Sequence, residues 1–598
     1  MPERTTPKPV PAAREPVGLV LLIGLGVGLR LAFVTRFPTL PFWDFANIVQ
    51  FGQLLREHGL VAPGWFWSQL NPGLPVILSV LFRLPEDPVA VARIATAVVT
   101  GLTGALPFLI WRGVLGYRWR LLAGILLALW PGQVFFSSVV AQDNWVLLPA
   151  VALASLAVRQ FLSNAPPRPV WSALLYLAAA AIRQEMAVVL LPLLLPAALR
   201  NARSRRRSGG ILAALLAAGL FVLLAQRDLA TGRLAWTTEH GVLALYGSFM
   251  PGSSEAGWVD GRAYAAALHP ESGGQTFGDR RVLLHMTLEE ARRRAPFHAL
   301  RIASWIPRLA LTSDADDLRW SLGIPFVLPP DRRTDAEAFA RRWSGRLLWE
   351  LAVVQGLFVA ACVVGIRGRR PAILALSLSV LLKYLVHVLI SPVGRLVIPA
   401  TALELLTIAL IATDWPGSAW RSRVVFLGSA LAIAVALHAA VPPLTSFVLR
   451  RDSRVLPGVD RFTIRIERGG TAVCRIERGS VMGLGPKWAA FGTTANDPPG
   501  ATAKMACELG PLDPKETVHL VLRDPMASYG PDARRTVRVT VDGRERGRVE
   551  MAGQLLERVP ITADLAGTQP VVEIELSPRP QSPPRLGDAP IQIDLEKP

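Results

Sequence analysis

The feature that most constrains this chain is a succession of apolar runs near twenty residues long, beginning with "VGLVLLIGLGVGLRLAFVTR" at Val17. A bilayer core takes about 20 mostly apolar helical residues to cross, and shorter runs cross when flanking side chains reach the interface. We read spans near 17–36, 89–111, 119–137, 142–161, 170–183, 186–200, 210–226, 346–366, 371–390, 395–412 and 423–443, about eleven in all. With 51% hydrophobic and 18% charged residues, the bulk composition excludes an ordinary soluble globule and fits a polytopic membrane protein. The formal net charge of +19 is what basic cytoplasmic loops supply; no nucleic-acid motif accompanies it, so no nucleic-acid partner is expected. The basic, Pro-rich segment 1–16 is read as a cytoplasmic tail and the first run as an anchor, not a cleaved leader.

Orientation follows from the loops. With the N-terminus inside, the cytoplasmic connections are "WRGVLGYRWR", "LSNAPPRPV", "RNARSRRRSGG", "IRGRRP" and "DWPGSAWRSR", and each carries Arg. The alternation holds only if 71–84, "NPGLPVILSVLFRL", does not cross; it and 45–58 are then interfacial or re-entrant. This arrangement puts Asp44, Glu86, Asp87, Arg93, Gln142, Asp143, Arg183, Glu185, Lys383, His387 and Arg395 at or near the outer ends of spans. Ionisable groups there are costly and mark a pathway or site, although any one Arg could merely snorkel to the interface. The transmembrane domain is 17–443 with outer loops 37–88 and 227–345.

From about Pro457 the patterning changes to period two: "RFTIRIERG", "ETVHLVLRD", "RTVRVTVDGRERGRVEM", "PVVEIELSP". That alternation, broken by Gly, Pro and Asp, predicts an antiparallel β-sandwich over 444–598 with a hairpin turning at Asp542-Gly543. Of three cysteines, Cys362 lies in an apolar run and is read as packing; Cys474 and Cys507 lie in the β region, paired or as two free thiols in a core.

The order of the polar motifs resembles a known superfamily. A first span is followed by "RFPTLPFWDFANIVQFGQLLREHG", then "NPGLP", then "LALWPGQVFFSSVVAQDN", then "AAIRQEMAVVLLPLLL". "HGVLALYGSFMPGSSEAGWVDGRAY", "EEARRRAPFHALRIASWIPRL" and the R-x-x-x-P of "SPVGRLVIPA" follow. Residues 17 to 415 thereby resemble the GT-C membrane glycosyltransferases, nearest to bacterial relatives of the protein O-mannosyltransferases and the lipid A aminoarabinose transferases. The resemblance implies a bacterial inner (plasma) membrane enzyme with a site on the periplasmic or exterior face. Its donor is a polyprenyl-phosphate-linked sugar, and its acceptor a glycan, lipid or protein. It implies Asp44 as the catalytic acid of the first outer loop, Asp143 as a second acid, and Arg183 and Arg395 as ligands of the carrier phosphate. Lys383, His387 and Arg93 are further phosphate candidates. Trp43, Gln142, Glu185 and Trp258 are candidate sugar or acceptor contacts. Where many relatives carry an acidic pair, this chain has Trp43-Asp44-Phe45, a single acid and a poor site for a divalent cation. No cofactor is assigned: a divalent cation stays open but has no second first-loop acid to support it, and no metal ligand is assigned. The β region resembles the jelly-roll, carbohydrate-binding-like domains appended to some such enzymes, as acceptor binder or as packing domain.

The residue types suit that chemistry. An attacking sugar hydroxyl must lose a proton, and Asp44 can take it. The phosphate leaving group needs charge stabilisation, which a fixed Arg supplies. One base with Arg suffices for a single inverting displacement; a retaining route would need two carboxylates about 5 Å apart, for which Asp44 and Asp143 are the pair. Asp44 also fits the N-cap of a helix over 45–58. Two other readings stay open: a transporter or flippase of lipid-linked sugars, although no internal repeat is found, and a catalytically inactive glycan-binding membrane protein.

Overall fold

The computed structural model describes residues 14–39, 41, 43–59, 70–163, 168–196, 209–222, 239–249, 280–322, 330–368, 370–390, 394–413, 420–451, 461–466, 470–484, 488–492, 501–510, 518–523, 535–551, 556–561, 569–577 and 591–596. The chain divides into two compact units, 1–238 with 306–388 and 393–441, and 239–305 with 389–392 and 442–598.

The first unit is helical. Among the described residues six helices are long and apolar enough to cross a membrane: Arg14–Arg36, Pro88–Ile110, Gln142–Leu162, Asp335–Arg367, Pro371–Ile390 and Ser422–Ala440. Shorter apolar helices cover Pro169–Ile182, Gly209–Val222 and Ile398–Ala412. Leu147–Leu162 and Ile398–Ala412 are buried on nearly every side, as inner helices of a bundle must be. Close crossings use small residues, as expected where lipid gives helices no hydrophobic reason to associate. A Cβ on Gly26 would stand 2.3 Å from the Gly101 carbonyl oxygen, so the first helix meets Pro88–Gly101 backbone to backbone.

Two expected spans are corrected. The run 119–137 is not one helix: Tyr117–Leu129 stops, Trp130 turns extended at ψ 111, and Pro131–Phe136 restarts with Pro at its first position. The carbonyls freed by this break are taken by Arg30, whose Nη1 donates to Ala128 O at 2.9 Å and Nη2 to Leu127 O at 3.3 Å. Its Nε donates to Gln133 Oε1 at 2.6 Å, just beyond the break. The run 186–200 is likewise broken, into Met186–Val189 and a 3₁₀ turn Leu191–Leu194 containing Pro192; from 197 it lies outside the described residues. The two segments expected not to cross are helices Trp43–His58 and Gly73–Leu81, of 16 and 9 residues. They pack together at Gly52, where a Cβ would meet Leu78 and Phe82 at 3.0 Å. Asp87, read above among the outer polar groups, caps the helix Pro88–Gly101 by accepting from the N–H groups of Val89 and Ala90.

In the second unit the described residues form eleven strands in two antiparallel sheets. We number them β1 (Arg461–Ile466), β2 (Gly470–Arg478), β3 (Ser480–Leu484), β4 (Trp488–Gly492), β5 (Ala503–Leu509) and β6 (Val518–Arg523). β7 (Arg535–Val541), β8 (Arg544–Met551), β9 (Leu556–Ile561), β10 (Val571–Leu576) and β11 (Ile591–Glu596) follow. One sheet runs β1-β2-β5-β10-β7-β8 and the other β3-β4-β11-β6-β9. Alternate residues of both, among them Ile464, Phe491, Leu520, Val539, Ile574 and Ile593, share one apolar core, which is what period-two patterning buries. Tyr246, of the helix Glu239–Phe249, joins that core. Cys474 and Cys507 face each other across β2 and β5 with Cα atoms 4.0 Å apart and form a disulfide. The hairpin expected at Asp542-Gly543 joins β7 to β8, with φ of 48° and 74°.

Candidate functional site

Three loop segments singled out in the sequence come together in the helical unit. "NPGLP" is held from two sides. Gln142 Nε2 donates to Asn71 O at 3.1 Å, and Gly73 packs so tightly on the backbone of Ala181 that a Cβ there would lie 2.6 Å from its carbonyl carbon. Only glycine fits that approach. The turn therefore sits beside both "AQDN" and the end of Pro169–Ile182.

That helix ends at Arg183, whose extended backbone, φ −139° and ψ 112°, turns the side chain out of the helical path. Arg183 pairs through Nη2 with Asp143 Oδ1 at 3.2 Å and through Nε with Glu185 Oε1 at 2.7 Å. Glu185 Oε1 also meets Lys383 Nζ at 3.1 Å, with His387 Nε2 3.7 Å away. Lys383 and His387 lie one turn apart on Pro371–Ile390 and so share a face. Lys383 is fully buried, Asp143 almost so, and Arg183 and Glu185 keep 16% of their side-chain surface. The cluster is thus a charge-balanced core of two carboxylates and two fixed cations that opens at Arg183 and Glu185. Burial pushes the Glu185 carboxyl up, but Arg183, Lys383 and His387 together outweigh it and hold the group below the ordinary carboxylate range. Glu185 is therefore an anion at neutral pH that fixes Lys383 and orients Arg183.

The other expected site residues fall as follows. Asp44 lies in the first turn of Trp43–His58, one residue inside the helix and not at its N-cap, where a carboxylate still suits the positive helix end. The side chains of Trp43 and Asp44 are outside the described set; Phe45, next to them, is buried edge-on against Phe136. Arg93 is half-buried, its Nη1 3.5 Å from Thr39 O, and it has no ion pair with the cluster. Arg395 lies in a 3₁₀ turn, Gly394–Val397, its side chain outside the described residues, as is all of Trp258. Among the described residues no group of three or more His, Cys, Asp or Glu could hold a metal ion.

The structure adds buried polar residues that the sequence reading passed over. Asp314 Oδ2 accepts from Trp130 Nε1 at 2.7 Å, at the helix break, and burial pushes its carboxyl up to about 7. Glu404 Oε2 accepts from Gln355 Nε2 at 2.8 Å, and the same Nε2 donates to Tyr384 OH at 3.1 Å. Arg30 and Glu404 each interrupt an apolar run, which was the available signal. Asp314, in "TSDADD", carries none.

No family model matches the chain, and no curated protein matches it. Among solved structures the chain is similar to the arabinosyltransferase EmbB from Mycobacterium smegmatis, at 12% identity and a TM-score of 0.27, over all of this chain and 66% of that one. The chain thus spans just under two thirds of EmbB, and a likeness at that score decides nothing about fold or activity.

Proposed function

We propose that the chain is an integral-membrane glycosyltransferase that moves a sugar from a polyprenyl-phosphate carrier to a glycan, lipid or protein acceptor on the non-cytoplasmic face. The observation that carries this reading is the Asp143–Arg183–Glu185–Lys383 cluster, reached through the sugar-transferase-like motifs and open at Arg183. In this reading Arg183 and Lys383 stabilise the negative charge that grows on the departing carrier phosphate, with Arg395 as a further ligand. Asp143 and Glu185 keep those cations fixed, so they need no reorganisation as the bond breaks. Asp44 takes the proton of the attacking hydroxyl and the displacement inverts the anomeric carbon. The basic loops on one side and the Cys474–Cys507 disulfide in the second unit support the outward orientation of the β unit. There the β unit would bind the acceptor glycan.

A transporter of lipid-linked sugars is favoured by one observation, the buried Glu404–Gln355–Tyr384 network, since intramembrane carboxyls mark proton routes in pumps. The test is release of undecaprenyl phosphate from a panel of undecaprenyl-phosphate sugars by the full chain in nanodiscs with envelope glycans present. Release by wild type that is lost in Asp44→Asn supports the transferase and its base. Release unchanged in Asp44→Asn removes that base. Donor moved across proteoliposomes without cleavage sinks the transferase reading.

A further inference from the structure

A second feature of the helical unit lies apart from the ionic cluster. The helices Pro330–Arg367 and Trp420–Arg451 pack antiparallel, as three pairings show. Trp349 stacks on His438 with ring centroids 4.7 Å apart. Ala352 shares a buried cluster with Ala434, and a Cβ on Gly356 would lie 2.1 Å from the Ala430 carbonyl oxygen. Small residues thus close the seam at Ala352–Ala434, where Leu311 joins them, and at Gly356–Ala430, and an open space borders the Trp349–His438 end. There a groove of about 680 Å³ is lined by Arg341, Arg342, Arg346, Trp349 and His438.

All three arginines are exposed. Arg341 makes one long contact, 3.8 Å to Glu337, and Arg346 lies over the Trp343 ring. Among the described residues no carboxylate pairs with Arg342 or Arg346. Between Arg346 and Arg367 the chain is apolar but for Glu350 and Gln355, and at 1.5 Å per residue that stretch is about 30 Å long, the thickness of a hydrocarbon core. The arginines thus stand at headgroup depth, with Trp343 and Trp349 where interfacial aromatics belong. Below them two exposed apolar tracks run along the sealed seam, Trp349 and Val353 on one helix, Val435, Leu431 and Leu427 on the other.

We propose that this groove is a binding site for an anionic glycerophospholipid, its phosphate held by Arg342 and Arg346 and its two acyl chains lying on the two tracks. Charge complementarity selects an anionic headgroup. The closed seam selects two separate chains over one thick polyisoprenoid, because nothing wider than a surface track is offered between the helices. The inference is independent of the transfer reaction and of the orientation.

The test is native mass spectrometry of the delipidated full chain, titrated with phosphatidylglycerol, phosphatidylcholine, undecaprenyl phosphate and inorganic phosphate. Phosphatidylglycerol is expected to bind best, and Arg342→Gln with Arg346→Gln to weaken it roughly thirtyfold, two surface cations' worth. Arg342→Lys with Arg346→Lys is expected to keep most of the affinity, which separates lost charge from lost fold. Phosphatidylglycerol binding that survives the Gln pair overturns the site. Tighter binding of undecaprenyl phosphate, equal binding of the zwitterionic phosphatidylcholine, or displacement by inorganic phosphate overturns the assigned ligand.

Discussion

The β-sandwich and the helical unit bury opposite things. In the β unit Val539, Ile574 and Ile593 are sealed in a core whose lining is apolar apart from Tyr246 and the disulfide, while Arg538 and Glu545 pair at the surface. In the helical unit Val20, Leu381 and Leu431 are more than half exposed, while Arg30, Lys383 and Glu404 have no exposed surface. Water explains the first: removing apolar area from it is the driving force, so polarity goes outward. Lipid explains the second: an outward Leu loses nothing against hydrocarbon, and helices are joined by close packing and by polar groups that need one another. Among the described residues the sandwich strands bury no polar side chain, whereas the helices bury several that are able to do chemistry, Lys383, Glu404 and Arg301 among them.

The largest test of that contrast is to remove the cluster's shared cation. Arg183→Leu leaves Asp143 without that ion pair and Glu185 with Lys383 and His387. Release of undecaprenyl phosphate is expected to fall about a thousandfold, on the scale of losing a preorganised transition-state donor. Arg183→Lys restores a charge but not the two-sided geometry, and should recover only part of that loss. Activity retained in Arg183→Leu would make the cluster a structural ion-pair core.

Next comes the buried carboxyl of Asp314. Its folded value, about 7, lies above its ordinary 3.8, so the native state holds a proton that the unfolded chain releases across that window. Its contribution to stability is complete below about 4 and is lost as pH rises towards 7. Three units correspond to a change on the order of 4 kcal/mol. Asp314→Asn keeps an oxygen for Trp130 and cannot titrate. The difference in unfolding midpoint between wild type and variant should then shift against wild type from pH 4 to 7 and level off above. A difference that is flat across this range would place water or a cation beside Asp314.

The same apolar truncation should read differently in the two units. Ile574→Ala opens a cavity in the β core and is expected to cost about 3 kcal/mol. Leu381→Ala, on a half-exposed face of Pro371–Ile390, should cost under about 1 kcal/mol in nanodiscs. Urea midpoints of the β transition and detergent-resistant helicity distinguish them. Equal costs would mean that protein, not lipid, covers Leu381.

What the sequence showed tracks this difference in solvent. Period-two alternation marked the strands because every second side chain, such as Val537, Val539 and Val541, faces one core. The Asp-Gly pair marked its turn for the same local reason. In the helical unit a polar residue against apolar neighbours is conspicuous, so Asp143, Arg183, Glu185, Lys383 and His387 could be singled out from the chain alone. Their pairing could not be, because it joins residues up to 244 positions apart, Asp143 to His387, through the packing of three segments. The break at Trp130 was hidden as well. Pro131 could equally have opened a new helix or kinked one run, and the freed carbonyls are held by Arg30, a hundred positions away. Asp314 lay among other acids, where composition gives no sign that one carboxyl is buried.

The smallest expected effect lies in the β7–β8 turn, where a polar residue works at the surface. Asp542 has two tasks. Its φ of 48° and that of Gly543, 74°, make the left-handed pair that fits the twist of a two-residue hairpin. Its Oδ1 also accepts from Val571 N at 2.9 Å, while its own N–H donates to Val571 O at 3.0 Å, so the turn is pinned to the start of β10. Asn performs both tasks and should be neutral. Gly keeps the backbone freedom and loses the side-chain bond, about 1 kcal/mol. Ala loses the bond and pays the left-handed penalty, about 2 kcal/mol together. The order Asn, Gly, Ala in urea midpoint separates the two contributions. Gly equal to Ala would assign the whole effect to the bond with Val571, and Gly equal to Asn would assign it to the backbone.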